Sequence, residues 1–392
     1  MINPIHDVVS SPPVRDNLRL CYISNPNLIH TRRWVTWFAR RGHTVCLLAD
    51  VPLKESWSEV PVIDLSKFFY ARYIRFPIWT VWLKRFLRQW QPDVLHAHRI
   101  NSAGWMAAAS GFHPYVITPW GTDIFVQPHQ SWVAQLLARY ALGNADLITT
   151  TSHAMWEDAV KLNARTDVLR YVHFGVEMDI FKPDLMIISE KKNLRRSLSI
   201  PENVRVILSP RAVTPIYNLD IILQSIPLVR ARFPEAFFVF IDYNSDMDYK
   251  NQLNKISTDL KLEPYIHWIP QTGSRSDMAE LYNLSDVIVS VASTDGSTPI
   301  SILEAMACGK PVVCTDLPQT REYVTNNENG LLVPNREVTA LAEAIILLLE
   351  QPHKAIEFGR KAHQVVVEKA DSEQEMRRME SIYYELAALH RI

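Results

Sequence analysis

The sequence predicts two α/β domains, each a doubly wound parallel sheet, and three observations lead there. Short, near-continuous apolar runs alternate with stretches of helical spacing along most of its 392 residues, as expected of strands buried on both faces and joined by covering helices. The alternation breaks once, where Phe174-Gly175-Val176 is followed by Phe181-Lys182-Pro183, a flexible residue and a helix breaker that mark a junction. Length points the same way, to two or three domains at roughly 150 residues each. The chain is therefore divided into a loose N-terminal tail (1–17), a first domain (18–180), a second domain (181–370) and a C-terminal helix (371–392) long enough to cross back to the first.

The elements follow in order. Leu18 to Ser24 is an apolar strand that opens onto the turn Asn25-Pro26-Asn27. Thr31 can cap the next helix, Trp34, Trp37 and Phe38 share one face at i, i+3, i+4, and Gly42 supplies the stop. Thr44 to Ala49 completes a βαβ unit, and Asp93–Ala97, Tyr115–Thr118 and Leu147–Thr150 continue it. In the second half Val204–Ser209, Phe237–Ile241, Tyr265–Ile269, Val287–Val291 and Val312–Thr315 read as strands, with helices such as Asn218–Arg232 and Asp277–Leu284 between them. Glu337 to His390 is helical by its spacing of Leu, Ala and Val, with a break near Gln351-Pro352. Two such domains facing each other across a cleft would bring the carboxyl ends of both strand sets to the substrate.

Composition excludes several function classes. Eleven glycines, where usual abundance would put about 27, rule out a collagen-like or low-complexity chain. No pair of them stands at G-x-G-x-x-G spacing, and Gly309-Lys310 lacks the earlier glycine of a phosphate loop, so neither a dinucleotide fingerprint nor a P-loop is present. A net charge of −1 lacks the basic excess of a nucleic-acid binder. The four cysteines have neither C-x-x-C spacing nor disulfide-scaffold density, which places the chain in a reducing cytoplasm. The start does not read as a signal peptide, and no run approaches the roughly 20 apolar residues of a spanning helix. Ten of eleven tryptophans fall between Trp34 and Trp156, through core packing or a different surface duty of the first domain.

Ser293 to Val313 carries the chemistry. A strand ends near Val291, a polar loop follows, Ser297 or Thr298 can cap, Pro299 suits the first helical position, and Gly309 with Pro311 ends the helix. The free N–H groups and dipole of such a helix start favour an anion such as a phosphate. Glu304, one and a half turns in, is on spacing alone either a solvated helix residue or an acceptor for two hydroxyls of a ribose diol.

The stretch resembles the retaining GT-B glycosyltransferases of the family 4 type, also called glycosyl transferases group 1. Their motif has two glutamates separated by seven residues, followed by Ala-Met-Ala-x-Gly-x-Pro-Val-Val, which Glu304-Ala-Met-Ala-Cys-Gly-Lys-Pro-Val-Val313 matches. Arg40-Arg-Gly-His-Thr-Val45, Pro92-Asp-Val-Leu-His96, Trp120-Gly-Thr-Asp123, Ala145-Asp-Leu-Ile-Thr149, Phe174-Gly-Val176 and Asn329-Gly-Leu-Leu-Val-Pro334 extend the likeness. It implies the GT-B architecture, two Rossmann-like domains. It also implies transfer of a hexose-type sugar, with retention, from a nucleotide-diphospho-sugar to the hydroxyl of a saccharide or lipid-linked acceptor, in glycan, glycolipid or cell-surface polysaccharide synthesis. No cofactor or metal is expected, because basic side chains and a helix start stabilise the leaving diphosphate. The rival readings are a nucleotide-sugar epimerase and a scaffold that binds a nucleotide-sugar without transfer.

Carried over by position, the resemblance assigns Glu304 to the ribose. It gives Arg211 to the diphosphate, and Asn218, Asp295, Thr298, Pro299, Ile300 and Ser301 to the donor. Asp123 and His98 become the catalytic candidates, and His30 and Trp120 the acceptor-side ones. Three positions depart from the pattern. Ile216 stands where relatives carry a lysine, Gly296 stands at the first motif glutamate with Asp295 beside it, and Trp120 replaces a histidine that contacts the sugar. A histidine at a strand end, such as His98, is otherwise structural or exposed.

Lys67 to Trp90 has six basic residues, nine aromatics and no acid. It reads either as a helix packed on the core with a basic outer face, broken at Pro77, or as a peripheral contact with an anionic membrane.

Overall fold

The computed structural model describes residues 17–68, 75–184, 188–270, 274–295 and 299–390. The tail 1–16, Gly296, Ser297 and Thr298, and part of the basic aromatic stretch (69–74) lie outside the described residues. The chain forms two compact units. One comprises the residues up to Thr151, Met155–Val172 and those from Met376 onward, and the other comprises Ser152–Ala154 and His173–Glu375. The change of unit thus falls at Val172–His173.

In the first unit β1 (Arg19–Ser24), β2 (Thr44–Ala49), β3 (Val62–Asp64), β4 (Val94–His98), β5 (Tyr115–Thr118), β6 (Leu147–Thr150) and β7 (Leu169–Tyr171) build a seven-stranded sheet in the order β3-β2-β1-β4-β5-β6-β7. Every pairing is parallel. In the second, β8 (Arg205–Ser209), β9 (Ala236–Asp242), β10 (Ile266–Pro270), β11 (Val287–Ser290), β12 (Val312–Thr315) and β13 (Leu331–Val333) run β10-β9-β8-β11-β12-β13, again all parallel. In each sheet the chain winds outward in one direction and then returns past its first strand. The order therefore switches between β1 and β4, and between β8 and β11, and the crevices at such switch points bind ligands.

The ten strands expected from apolar runs are all present. β3, β7 and β13 were not expected. They are three-residue sheet edges with one neighbour each, and their extended form is imposed by pairing with that neighbour rather than by an apolar run. Two helix starts also differ from expectation. The helix Ile29–Arg40 begins before Thr31 and has no side-chain cap; the Thr31 hydroxyl lies in the core, 2.8 Å from Ser24 Oγ. Pro299 is the N-cap of the helix Ile300–Ala307 and not its first residue, and its carbonyl accepts from Ile302 and Leu303.

Alternation along the strands sorts the first unit's residues to two faces. Leu95 and Ala97 of β4 join a core that also takes Trp79, Leu83 and Leu87 from the helix Arg75–Trp90. On that helix Trp82 and Phe86 stack at 5.1 Å and Phe86 and Trp90 at 6.0 Å, all packed on this core. The described aromatics of the basic stretch therefore face inward, and Lys84, Arg85 and Arg88 are left outside. His96 and His98 point to the opposite face. There Tyr383, from the C-terminal helix Ser372–Leu389, hydrogen-bonds Tyr22 and Trp34, and Glu380 pairs with Arg41 and His43.

The site-bearing helix of the second unit is held by backbone contact. It ends at Gly309, whose φ of +67° suits a glycine. A Cβ at Gly359, on the helix Pro352–Lys369, would stand 1.9 Å from the Gly309 carbonyl oxygen, and His363 on the same helix lies 2.6 Å from the Ala307 carbonyl. Gly359→Ala is expected to lower the unfolding free energy by about 2–3 kcal/mol through overpacking, read from urea titration. Unchanged stability would mean that the two backbones do not abut.

Candidate functional site

The second unit's switch point gathers the donor-side candidates. Arg211 follows β8 by two residues, Asp295 lies in the loop after β11, and the helix Ile300–Ala307 starts beside them. Arg211 is only 6% exposed. Its Nη1 donates to Ser301 Oγ at 2.7 Å, its Nη2 is paired with Asp295, and its guanidinium lies 4.0 Å over the Tyr217 ring. Burial opposes the charge, but Asp295 foremost and then Tyr217 hold the guanidinium above the ordinary arginine range. Asp295 Oδ2 is buried without a hydrogen-bond partner among the described residues.

Glu304 is 8% exposed, which removes the solvated reading. Its carboxylate accepts from Arg275 Nη2 at 3.1 Å and Tyr282 OH at 3.2 Å. Arg275 is held in turn by Glu177 and lies 4.8 Å over the Phe181 ring. Burial, then the Glu304 charge, pushes the Tyr282 phenol well up, so it remains a neutral donor.

Sequence reasoning missed Arg275. The readable signal was local, the capping box of Ser274 with Asp277. That box starts a helix, but it does not show that the second residue reaches Glu304 across 29 positions.

Asn218 serves the scaffold. At φ +49° its amide nitrogen donates to the Val291 carbonyl (2.8 Å), Ser293 Oγ (2.9 Å) and Asn335 Oδ1 (3.1 Å), and its oxygen accepts from Arg336 (2.7 Å). It thereby pins the loop that leads to Asp295. Ile216, at the lysine position of relatives, is exposed.

The first unit's switch point collects its own candidates. His98 ends β4 fully buried. Its Nδ1 lies 3.2 Å from Ser24 Oγ at the end of β1, and its ring meets Trp120 at 5.0 Å. Its Nε2 has no partner among the described residues. Burial, with Arg99 adding to it, pushes the imidazole down to about 3, so it is neutral near pH 7. His30 meets Trp120 edge-on at 6.2 Å. Asp123 is 2% exposed and accepts from the backbone N–H groups of Ile100 (2.8 Å), Trp120 (2.8 Å) and Gly121 (2.9 Å). Its oxygens tie the loops after β4 and β5 together.

Behind His98, His96 is linked on one side to Thr118 Oγ1 (2.6 Å) and on the other to Tyr383 OH (2.5 Å). Sequence reasoning gave His96 no role beyond its motif, because its partner lies 287 positions away.

Comparison with known proteins decides the family. The profile of the glycosyl transferases group 1 matches residues 190–365, and that of the glycosyl transferase 4-like family matches residues 19–152. The chain belongs to the group 1 glycosyltransferases.

Among solved structures, Anabaena HepE in complex with UDP superposes with a TM-score of 0.79 over 94% of this chain and all of that one, at 17% identity. A glycosyltransferase from Rickettsia africae gives 0.80 over 95% and 99%, at 16% identity. The architecture of this group 1 member is GT-B. Among curated relatives, D-inositol 3-phosphate glycosyltransferase 2 of Catenulispora acidiphila is 24% identical over 298 residues, 69% of this chain and 65% of that protein. N-acetyl-alpha-D-glucosaminyl L-malate synthase of Bacillus anthracis is 24% identical over 272 residues, 69% and 68% of the two chains. The chain thus spans slightly less than two thirds of the first relative's length. No helix among the described residues is long and apolar enough to cross a membrane.

The neutral His98 predicts a pH dependence of stability. In the unfolded chain its imidazole takes a proton near pH 6.5, whereas the folded one resists protonation down to about 3. Between these values protons favour the unfolded state. The contribution is therefore present above about pH 6.5 and is lost as pH falls, at up to about 1.4 kcal/mol per unit. Urea unfolding of His98→Gln is expected to show a shallower decline from about pH 6.5 to about 4.5 than the parent. An identical slope would assign the effect to other groups.

Proposed function

We propose that this group 1 enzyme is a retaining glycosyltransferase that moves a hexose-type sugar from a nucleoside-diphosphate donor to an acceptor hydroxyl. One observation carries the reading. A buried arginine bonded to the first turn of a helix, and a buried carboxylate further along the same helix, stand at one switch point. A guanidinium and a helix start suit a diphosphate, and a carboxylate held by Arg275 and Tyr282 suits the two hydroxyls of a ribose. The neighbours support the donor class, since Anabaena HepE is solved with UDP and with UDP-glucose.

In the proposed reaction the acceptor oxygen bonds to the anomeric carbon on the face from which the nucleoside diphosphate departs. The bond from that carbon to the phosphate oxygen breaks, and the acceptor's proton passes to the departing phosphate. Arg211 and the N–H groups at the start of Ile300–Ala307 take the developing charge, an electrostatic stabilisation from which such sites gain most of their rate. Ile216 stands where the relatives carry a lysine, so that position adds no cation to Arg211. No protein base is required, because the departing phosphate takes the acceptor's proton. The acceptor is a saccharide or a lipid-linked hydroxyl, and the cytoplasm, where all four buried cysteines stay reduced, is the proposed compartment.

Release of nucleoside diphosphate across a panel of UDP- and GDP-hexoses tests the proposal. At least one donor should turn over, and Glu304→Ala and Arg211→Ala should each lower kcat/KM by roughly 10²–10³-fold. Equal turnover in parent and variants would remove this site from catalysis.

A further inference from the structure

Three helices of the first unit, Arg75–Trp90, Ser102–Ser110 and Trp132–Gly143, lie side by side with Ser102–Ser110 in the middle. All three bury their inner sides in one core, through Leu83, Met106 and Ala141 among others. In a chain with 42 acidic residues, none of the three contains Asp or Glu.

Their outer sides differ in kind. The helix Arg75–Trp90 exposes Lys84, Arg85 and Arg88, none of them ion-paired among the described residues, together with Val81 at 70% exposure. The helix Trp132–Gly143 exposes Trp132 (77%), Val133, Leu136 (58%) and Tyr140. These fall at i, i+1, i+4 and i+8, within about 100° of one another around the axis. A surface tryptophan and leucine on one helical stripe, left uncovered by the described residues, is uncommon in a monomer.

We propose that this face docks on an anionic lipid bilayer. The stripe of Trp132–Gly143 is the wedge that enters the headgroup region, and Lys84, Arg85 and Arg88 are the electrostatic contact. The division of labour follows from the fold. Trp79, Trp82, Phe86 and Trp90 of the helix Arg75–Trp90 are consumed by the core, so that helix contributes charge, and the apolar part comes from a helix 42 residues further on. Charge complementarity selects the partner, since three acid-free helices bearing Lys84, Arg85 and Arg88 meet a negative leaflet favourably, and an exposed tryptophan sits well at the interface. The assignment does not depend on which sugar is transferred.

Co-sedimentation of the full chain with phosphatidylcholine–phosphatidylglycerol vesicles, against phosphatidylcholine alone, tests it. Binding is expected to the mixed vesicles and to fall with added salt. The triple variant Lys84→Gln/Arg85→Gln/Arg88→Gln should lower the partition coefficient on the order of 100-fold, at about fivefold per basic residue. Trp132→Ser/Leu136→Ser should abolish the salt-resistant part, with near-UV circular dichroism confirming the fold of each variant. Two results would overturn the proposal. One is no preference for the anionic vesicles, or binding that neither variant weakens. The other is a dimer in light scattering that Trp132→Ser/Leu136→Ser splits, which would give the stripe to a second copy.

Discussion

An all-parallel sheet has to be covered on both faces, and this constraint governs where chemistry can occur in the molecule. The middle of every central strand is committed to packing, as the almost unbroken burial of β1, β4, β8 and β11 shows. Polar groups that must meet a ligand are left to the carboxyl ends and the loops that follow. Within those ends, the switch points β1/β4 and β8/β11 are the places where adjacent loops diverge and leave room. Ser24 with His98, and Arg211 with Asp295, occupy them.

Placing charge at such a position is costly, since a buried ion forfeits several kcal/mol of hydration. The second unit meets this cost locally. Arg211 is balanced by Asp295, by the Ser301 hydroxyl and by the Tyr217 ring, and Glu304 is balanced by Arg275 and Tyr282. The same interactions fix each group in one geometry, so the site does not have to assemble around its ligand. In the proposed donor complex a diphosphate would compete with Asp295 for the Arg211 guanidinium. At its switch point the first unit takes the other solution and keeps the His96 and His98 imidazoles neutral. Burial depresses both His96 and His98, and the hydroxyls of Thr118, Tyr383 and Ser24 suit neutral rings.

Much of this was legible in the residues. Central strands showed as apolar runs, because a strand buried on both faces has no polar alternation to hide it. The helix stop at Gly309 showed as well, because a left-handed residue is a local requirement. The edges β3, β7 and β13 were illegible, since three residues carry no periodicity and a neighbour decides their form. The basic aromatic stretch was ambiguous for a similar reason. Spacing tells which residues share a side of a helix, but not which side meets the core, and the stacking of Trp82, Phe86 and Trp90 against it settled that.

The sequence by itself determined the fold class, the positions of the central strands along the chain and the family-bearing segment from Glu304 to Val313, all of which depend on local pattern. Tertiary structure alone decided the state of the functional groups. Glu304 is buried and not solvated, Asn218 holds a loop, Asp123 accepts from three backbone amides, Arg275 and Tyr383 reach their partners across 29 and 287 positions, and Tyr217 comes from a turn of no distinctive pattern. The physical reason is that burial and charge balance depend on what lies opposite in space. In a sheet whose strand order departs from chain order, what lies opposite is set by topology, and the spacing of residues along the chain does not record it.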